Sequence, residues 1–430
     1  MKNSIIEKIT VIGGGSTYTP ELIDGFIKNE NELKVREISL FDIDEDRLNI
    51  VGNMADRMVK YAEIDTKISL QTRREAAIDG AEFILSSLRV GQMPARILDE
   101  KIPLKYGVIG QETTGPGGTL KALRTIPVSL DIAKDMEKYA PDAWYINFAN
   151  PSGIVTEALL KYTDLKVIGL CNMPINTVTA LAEAFNVDAK DIFVEWVGMN
   201  HVTWVRKIFI KGEDQTQILF DRLEDILGIK WMPNVEPELI RTLGVLPTHY
   251  LQYYYYHLDK VEEAKIAKKT RGEEVLEIEN ELLKKYKDPK VLVKPEELSR
   301  RGGAHYSEAA VNLIASLKLD RRDVQIVVVR NGNSLADLPE DVSVEVPCVV
   351  GAHGVTPLIM GHFPESIRAL AIQVKAWESA VVKAAVSGSR RDAVLAMLQN
   401  PLVPDYPTAV NLVDEMLEAH KGYLPQFFKK

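Results

Sequence analysis

Short apolar runs at residues 8–12, 37–41, 82–88, 143–146 and 166–170 alternate with stretches of helical periodicity. That alternation predicts βαβ units and a parallel sheet, because parallel neighbours need a crossover connection. Between the first two runs, Thr19-Pro20 reads as an N-cap followed by proline at the first helical position, with Leu22, Ile23, Phe26 and Ile27 on one face. Beyond Cys171 the alternation fades into longer helices, with strands expected at residues 192–197, 205–210, 325–329 and 342–350. Residues 261–288 are dense in Glu and Lys at helical spacing and read as a solvated helical face, with Arg271 the possible exception. The expected fold class is α/β: a parallel-sheet domain over residues 1–170, then a mixed α+β domain over residues 171–430.

The first strand runs into Gly13-Gly14-Gly15-Ser16-Thr17-Tyr18. Glycines there let the backbone turn sharply and approach a pyrophosphate at a helix N-terminus, the Rossmann arrangement for a dinucleotide. The third glycine of that fingerprint is replaced by Tyr18, so the turn alone is ambiguous with a structural one. Asp42 shifts the balance. It ends the second strand, where a carboxylate accepts hydrogen bonds from ribose hydroxyls and repels a 2′-phosphate, favouring NAD over NADP. The alternative is that Asp42 caps the next helix.

The chain has 430 residues, 46% hydrophobic and 26% charged, with net charge −9. This is the composition of a soluble two-domain protein, and it lacks the basic footprint of a nucleic-acid or anionic-membrane partner. No apolar run is long enough to span a membrane, and the N-terminus does not resemble a signal peptide, so a cytoplasmic location is expected. The two cysteines, Cys171 and Cys348, are too few for a disulfide framework.

Ligands of open α/β sheets bind beyond the carboxyl ends of the strands. The residues following these runs are chemical: Arg89-Val90-Gly91 through Arg96, Asn147 through Ser152, and Cys171-Asn172-Met173-Pro174. His201 follows a further strand in Gly198-Met199-Asn200-His201. A thiolate and an imidazole can ligate a transition metal, completed by two substrate oxygens, although each residue alone is as easily a core residue. The run from Thr248 to Tyr256 is packing or interface material, or it supplies a tyrosine base lowered in pKa by a nearby cation. Arg96 and Arg271 are surface ion-pair residues, or together a clamp for a phosphate. The loop from Gly110 to Thr119 is a flexible surface loop, or a lid over the cofactor with Glu112 as its one carboxylate.

Taken in order, these motifs resemble glycoside hydrolase family 4, particularly its 6-phospho-β-glucosidase branch, over essentially the whole chain. The segments that carry the resemblance run from Ile12 to Pro20, Arg89 to Gly91, Asn147 to Ser152, Cys171 to Ile175, Gly198 to His201 and Tyr250 to Tyr254. The resemblance implies an α+β C-terminal domain like that of lactate and malate dehydrogenases. It implies NAD held by Gly13, Gly15, Ser16, Thr17, Asp42 and Arg89, and a divalent metal, usually manganese, on Cys171 and His201. Tyr250 matches the catalytic base; Arg96, Asn150, Asn172 and Arg271 match positions around the sugar and its 6-phosphate. Relatives acting on α-linked phosphoglucosides carry an acidic aspartate where this chain has Asn172. That departure argues for β-linked substrates and leaves the leaving-group acid open, with Glu112 the candidate.

The family mechanism borrows a hydride from C3, eliminates across C1 and C2, adds water and returns the hydride, an exception to the two-carboxylate design. The implied partner is a phosphorylated disaccharide or β-glucoside, and the implied assembly a homodimer or homotetramer. Two other readings suit the same N-terminal architecture. A malate- or lactate-type dehydrogenase would use a His-Asp relay and no cysteine-bound metal, and an NAD-dependent sensor would need neither metal ligands nor a base.

Overall fold

The structure is a computed structural model that describes residues 5–303 and 305–428. The strands in chain order are β1 (Ile5–Ile12), β2 (Lys34–Phe41), β3 (Lys67–Gln71), β4 (Phe83–Ser86), β5 (Trp144–Asn147), β6 (Lys166–Gly169), β7 (Ile192–Met199), β8 (Val202–Ile210), β9 (Glu213–Asp214), β10 (Leu246–Pro247), β11 (Asp323–Arg330), β12 (Ser343–Gly351) and β13 (Gly354–Pro357). β1 to β6 form a parallel sheet in the order β3-β2-β1-β4-β5-β6. This is the doubly wound order of dinucleotide-binding proteins, with its switch point between β1 and β4. The glycine turn leaves β1 at that point.

The α/β class is as expected, but the sheet does not stop near residue 170. β11 pairs antiparallel with β6 and is followed by β12 and β13, so the C-terminal half extends the N-terminal sheet. One apolar core accordingly runs through both halves, from Ile9 and Leu40 to Val346 and Trp377. A smaller core containing Trp196, Ile208 and Leu223 lies beneath a separate sheet of β7, β8 and β10. Cys171 belongs to this second core.

Three local expectations change. Thr19 is inside the helix Thr19–Lys28, not its cap, and its hydroxyl donates to the Gly14 carbonyl at 2.9 Å, closing the glycine turn. β3 had no counterpart among the apolar runs, because its five residues are only half-buried or exposed at the sheet edge. The charged stretch 261–288 is two helices, His257–Ile266 and Arg271–Tyr286. The second begins with a reciprocal Thr270–Glu273 capping box, which places Arg271 in the first turn. Among the described residues no helix is long and apolar enough to cross a membrane.

Candidate active site

The glycine turn is built for close approach. The Gly13 and Gly14 amides both donate to the Phe41 carbonyl, at 2.9 and 2.8 Å, and the Gly15 amide donates to Asp42 Oδ2 at 2.9 Å. A Cβ on Gly15 would stand 2.9 Å from that same oxygen, so a larger residue would displace the Asp42 carboxylate. Asp42 is not the helix cap: Asp44 fills that role by accepting the Arg47 amide at 3.0 Å. Asp42 takes the amides of Gly15 and Asp44 and keeps further lone pairs for ribose hydroxyls. The Thr17 hydroxyl oxygen is buried without a hydrogen-bond partner, as expected where a ligand completes the site. Tyr18, in place of a third glycine, reaches across to the Gly303 carbonyl at 2.8 Å, while Tyr286 donates to the Thr17 carbonyl at 2.7 Å. Both hydrogen bonds tie the turn to the C-terminal half.

Beyond β6 and at the tip of the β7–β8 hairpin, the fold brings Cys171 and His201 together, with Sγ 3.3 Å from Nε2. His201 occupies the second position of a two-residue turn at φ 69°, a conformation glycine or asparagine adopts more easily. Burial pushes the thiol up to about 12 and the imidazole down to about 3, so without a cation both stay neutral.

Hydrogen bonding fixes which imidazole nitrogen is free. Gln111 Oε1 accepts the Thr113 and Thr114 amides at 2.6 and 2.8 Å, which identifies that atom as the oxygen. It also accepts the Thr113 hydroxyl at 2.7 Å. The hydroxyl has then spent its only proton and accepts from His201 Nδ1 at 2.9 Å, leaving the Nε2 lone pair toward Cys171. A soft thiolate and an oriented imidazole fit a divalent transition metal. Among the described residues no cluster of three or more His, Cys, Asp or Glu side chains surrounds them. The remaining ligands would come from substrate or water.

Tyr250 stacks on His201 with centroids 4.0 Å apart and planes 10° from parallel. Burial raises its phenol above the ordinary tyrosine range, as does the neighbouring Cys171, while Arg96 works the other way. Tyr306 also reaches the site, its hydroxyl 3.9 Å from Cys171 Sγ and its ring edge-on to Phe148 and Tyr18. The Asn172 amide oxygen is 4.0 Å from the same sulfur. Asn150, at the end of β5, has a buried side-chain oxygen with no hydrogen-bond partner.

Glu112 is not placed to donate a proton. Its carboxylate meets Arg89 at 2.5 Å, Lys121 at 2.7 Å and Arg96 at 3.1 Å. Against the penalty of burial, these three cations hold it ionised, well below the usual carboxylate range. Lys121, desolvated and beside Arg89, is pushed down to about 7. Arg89, expected to line the cofactor, thus has its guanidinium on Glu112. The surrounding loop is not a surface loop: residues 113–119 are buried, and a Cβ on Gly110 would stand 2.1 Å from the Glu100 carbonyl oxygen.

Glu100 joins the two arginines. Its Oε1 accepts Arg96 Nε at 2.8 Å and its Oε2 accepts the Gly272 amide at 2.7 Å, beside Arg271 in the first turn of its helix. Arg271 itself is half exposed, paired with Glu274 at 3.0 Å and donating to the Arg300 carbonyl at 2.9 Å. The helix carrying Arg96 is anchored by a buried bidentate pair, Arg124 to Asp99 at 2.9 and 2.6 Å. Sequence reasoning gave no role to Thr113 and Asn200, although both lie in segments it singled out, and it passed over Lys121, Tyr306 and Glu345. Of these last three, Glu345 carried a signal, as a lone acid in the apolar run Val342 to Val350.

A parallel dinucleotide sheet, a thiol–imidazole pair and a stacked tyrosine define a nucleotide-binding enzyme with a metal-competent site. Residues 8–187 match the Family 4 glycosyl hydrolases and residues 196–403 match the Family 4 glycosyl hydrolase C-terminal domain. The chain belongs to glycosyl hydrolase family 4. It is 47% identical to a probable 6-phospho-beta-glucosidase of Bacillus subtilis (strain 168), with 98% of each chain covered. A solved 6-phospho-beta-glucosidase from Thermotoga maritima, with manganese, NAD+ and glucose-6-phosphate, superposes with TM-score 0.89 at 35% identity, covering 97% of this chain and 99% of that one. A lactate dehydrogenase of Cryptosporidium parvum shares the fold at TM-score 0.58 and 15% identity, covering 89% of this chain and 98% of that one.

Proposed function

We propose that this chain is an NAD- and divalent-metal-dependent 6-phospho-β-glucosidase that releases glucose 6-phosphate from phosphorylated β-glucosides such as cellobiose 6-phosphate. The observation that carries this reading is the approach of Cys171 Sγ to His201 Nε2 at 3.3 Å, with Tyr250 stacked on the imidazole and the glycine turn at the same sheet edge. The C3 hydride would be lent to NAD and returned, and a divalent ion, manganese by the metal named with the relative above, would polarise the C2 and C3 oxygens.

Cys171 and His201 hold the ion, with His201 oriented by Thr113. Tyr250 is the base for the C2 proton; Arg96 lowers its phenol, and an ion held by Cys171 and His201 would lower it further. Arg96 and Arg271 bind the 6-phosphate, and the unpaired Asn150 oxygen accepts a sugar hydroxyl. Asn172, uncharged beside the thiol, favours β over α linkage. Glu112 is assigned no proton transfer and positions Arg96. A buried free thiol at the centre of the site suits the reducing cytoplasm, and a homo-oligomer is the proposed assembly.

The test is a panel of α- and β-linked 6-phosphoglucosides, with unphosphorylated controls, incubated with Mn2+ and NAD+. Aglycone release from the phosphorylated β substrates with no net NADH supports the assignment. Preference for α linkages transfers the chain to the 6-phospho-α-glucosidases, and stoichiometric NADH indicates a dehydrogenase.

A further inference from the structure

A buried carboxyl group stands behind the thiol–imidazole pair, pushed by burial up to about 7. Glu345, in the middle of β12, is fully buried, yet its carboxylate meets only neutral donors: Asn200 Nδ2 to Oε1 at 2.8 Å and Trp196 Nε1 to Oε2 at 3.0 Å. Among the described residues no cation pairs with it. The charged neighbour is Glu378, whose own partner Lys375 lies at 2.5 Å and is shared with Glu157 at 2.9 Å. An ionised carboxylate in such a place is unfavourable unless positive charge stands close by. Asn200 leads to that place: its side chain lies near the Cys171 sulfur, and the next residue is His201.

We propose that Glu345 is the counter-charge of the metal site, acting through Asn200 as a positioning residue for the Cys171 thiolate. The proposal rests on the reading that Cys171 and His201 hold a divalent ion. Thiolate and carboxylate together then supply two negative charges against the two positive charges of the ion, with Cys171 and Glu345 both buried. Glu345 does not touch the ion. It orients the amide that fixes the sulfur, the role outer-sphere carboxylates play behind metal-bound histidines. A residue needed only as a hydrogen-bond acceptor for Trp196 and Asn200 would not need its charge, so removing the charge alone separates the two roles.

The experiment titrates Mn2+ into the full-length wild-type chain and Glu345→Gln. Free Mn2+ is read by electron paramagnetic resonance, NAD+ binding by calorimetry, and melting temperature with and without Mn2+. The expected result is Mn2+ affinity about 10- to 100-fold weaker in Glu345→Gln, with NAD+ affinity unchanged and the metal-free melting temperature shifted only slightly. The Mn2+-induced rise in melting temperature shrinks in parallel. Equal Mn2+ affinity in the two proteins overturns the proposal, as does a variant destabilised equally with and without metal. Should Glu345→Gln not fold, Asn200→Ser carries the same test by cutting the link to sulfur, and wild-type affinity in that variant overturns it. A wild-type chain that binds no Mn2+ at all overturns the metal reading beneath.

Discussion

Replacing Thr113 with valine, its apolar isostere, removes the hydroxyl that orients His201 while leaving the loop shape unchanged. The Thr113 and Thr114 amides still hold Gln111 at 2.6 and 2.8 Å. What is lost is the acceptor 2.9 Å from His201 Nδ1. A buried N–H left without a partner costs about 1–3 kcal/mol. The ring escapes that cost by moving its proton to Nε2, the nitrogen facing Cys171, where it blocks metal ligation. Either way Mn2+ binding loses about 1–3 kcal/mol, roughly 5- to 140-fold in affinity. Calorimetric Mn2+ titration at fixed pH reads this directly, with Thr113→Ser as the variant that restores the hydroxyl. If Thr113→Val binds Mn2+ as tightly as wild type, the assigned tautomer and its role are wrong.

Four further outcomes follow from the geometry. Tyr250→Phe keeps the ring stack on His201, so Mn2+ and NAD+ affinities stay near wild type while turnover falls about 10²- to 10⁴-fold; unchanged steady-state turnover excludes Tyr250 as the base. Glu112→Gln breaks a buried three-cation cluster and destabilises the fold by about 3–5 kcal/mol in denaturant melts, with activity lost equally on good and poor leaving groups. Selective rescue by an activated aglycone would return Glu112 to the acid role. Arg271→Gln, changing a half-exposed side chain, raises the inhibition constant for glucose 6-phosphate at least about tenfold, the scale of one charge-assisted hydrogen bond, without altering inhibition by glucose. Finally, Lys375 and Lys161 overcome burial to hold Glu157 at about 2, down from the ordinary 4.5 of a glutamate. A depressed carboxylate stabilises the fold above its unfolded pKa, so melts should show stability falling as pH drops from about 4.5 toward 2, with a shallower slope in Glu157→Gln.

The parts of the fold legible in the sequence are those whose pattern is local. β1, β2, β4, β5 and β6 announce themselves as buried apolar runs, and the glycine turn follows β1 directly. Edge strand β3 does not, because half-buried residues leave no continuous run. β11 and β12 are readable as strands, whereas the four-residue β13 is not, and nothing local tells that β11 pairs with β6 instead of founding a second sheet. The break at Thr270 is a capping box hidden inside an unbroken charge pattern.

The site divides in the same way. Cys171, His201, Tyr250 and Arg96 lie at or near strand ends in compact motifs. Their supports come from elsewhere in the chain: Thr113 from a glycine loop, Tyr306 from beyond residue 300, and Glu345 from a strand that reads as core. Glu112 was misread because its three cations, Arg89, Arg96 and Lys121, converge only in three dimensions.

The central claim is that glycoside cleavage here proceeds by removing the C2 proton. The most direct measurement is turnover of a 6-phospho-β-glucoside in D2O with NAD+ and Mn2+, followed by NMR of the glucose 6-phosphate formed. The account predicts deuterium at C2 of the product, with C3 keeping the hydrogen it started with. Product carrying only protium at C2 under active turnover would contradict it.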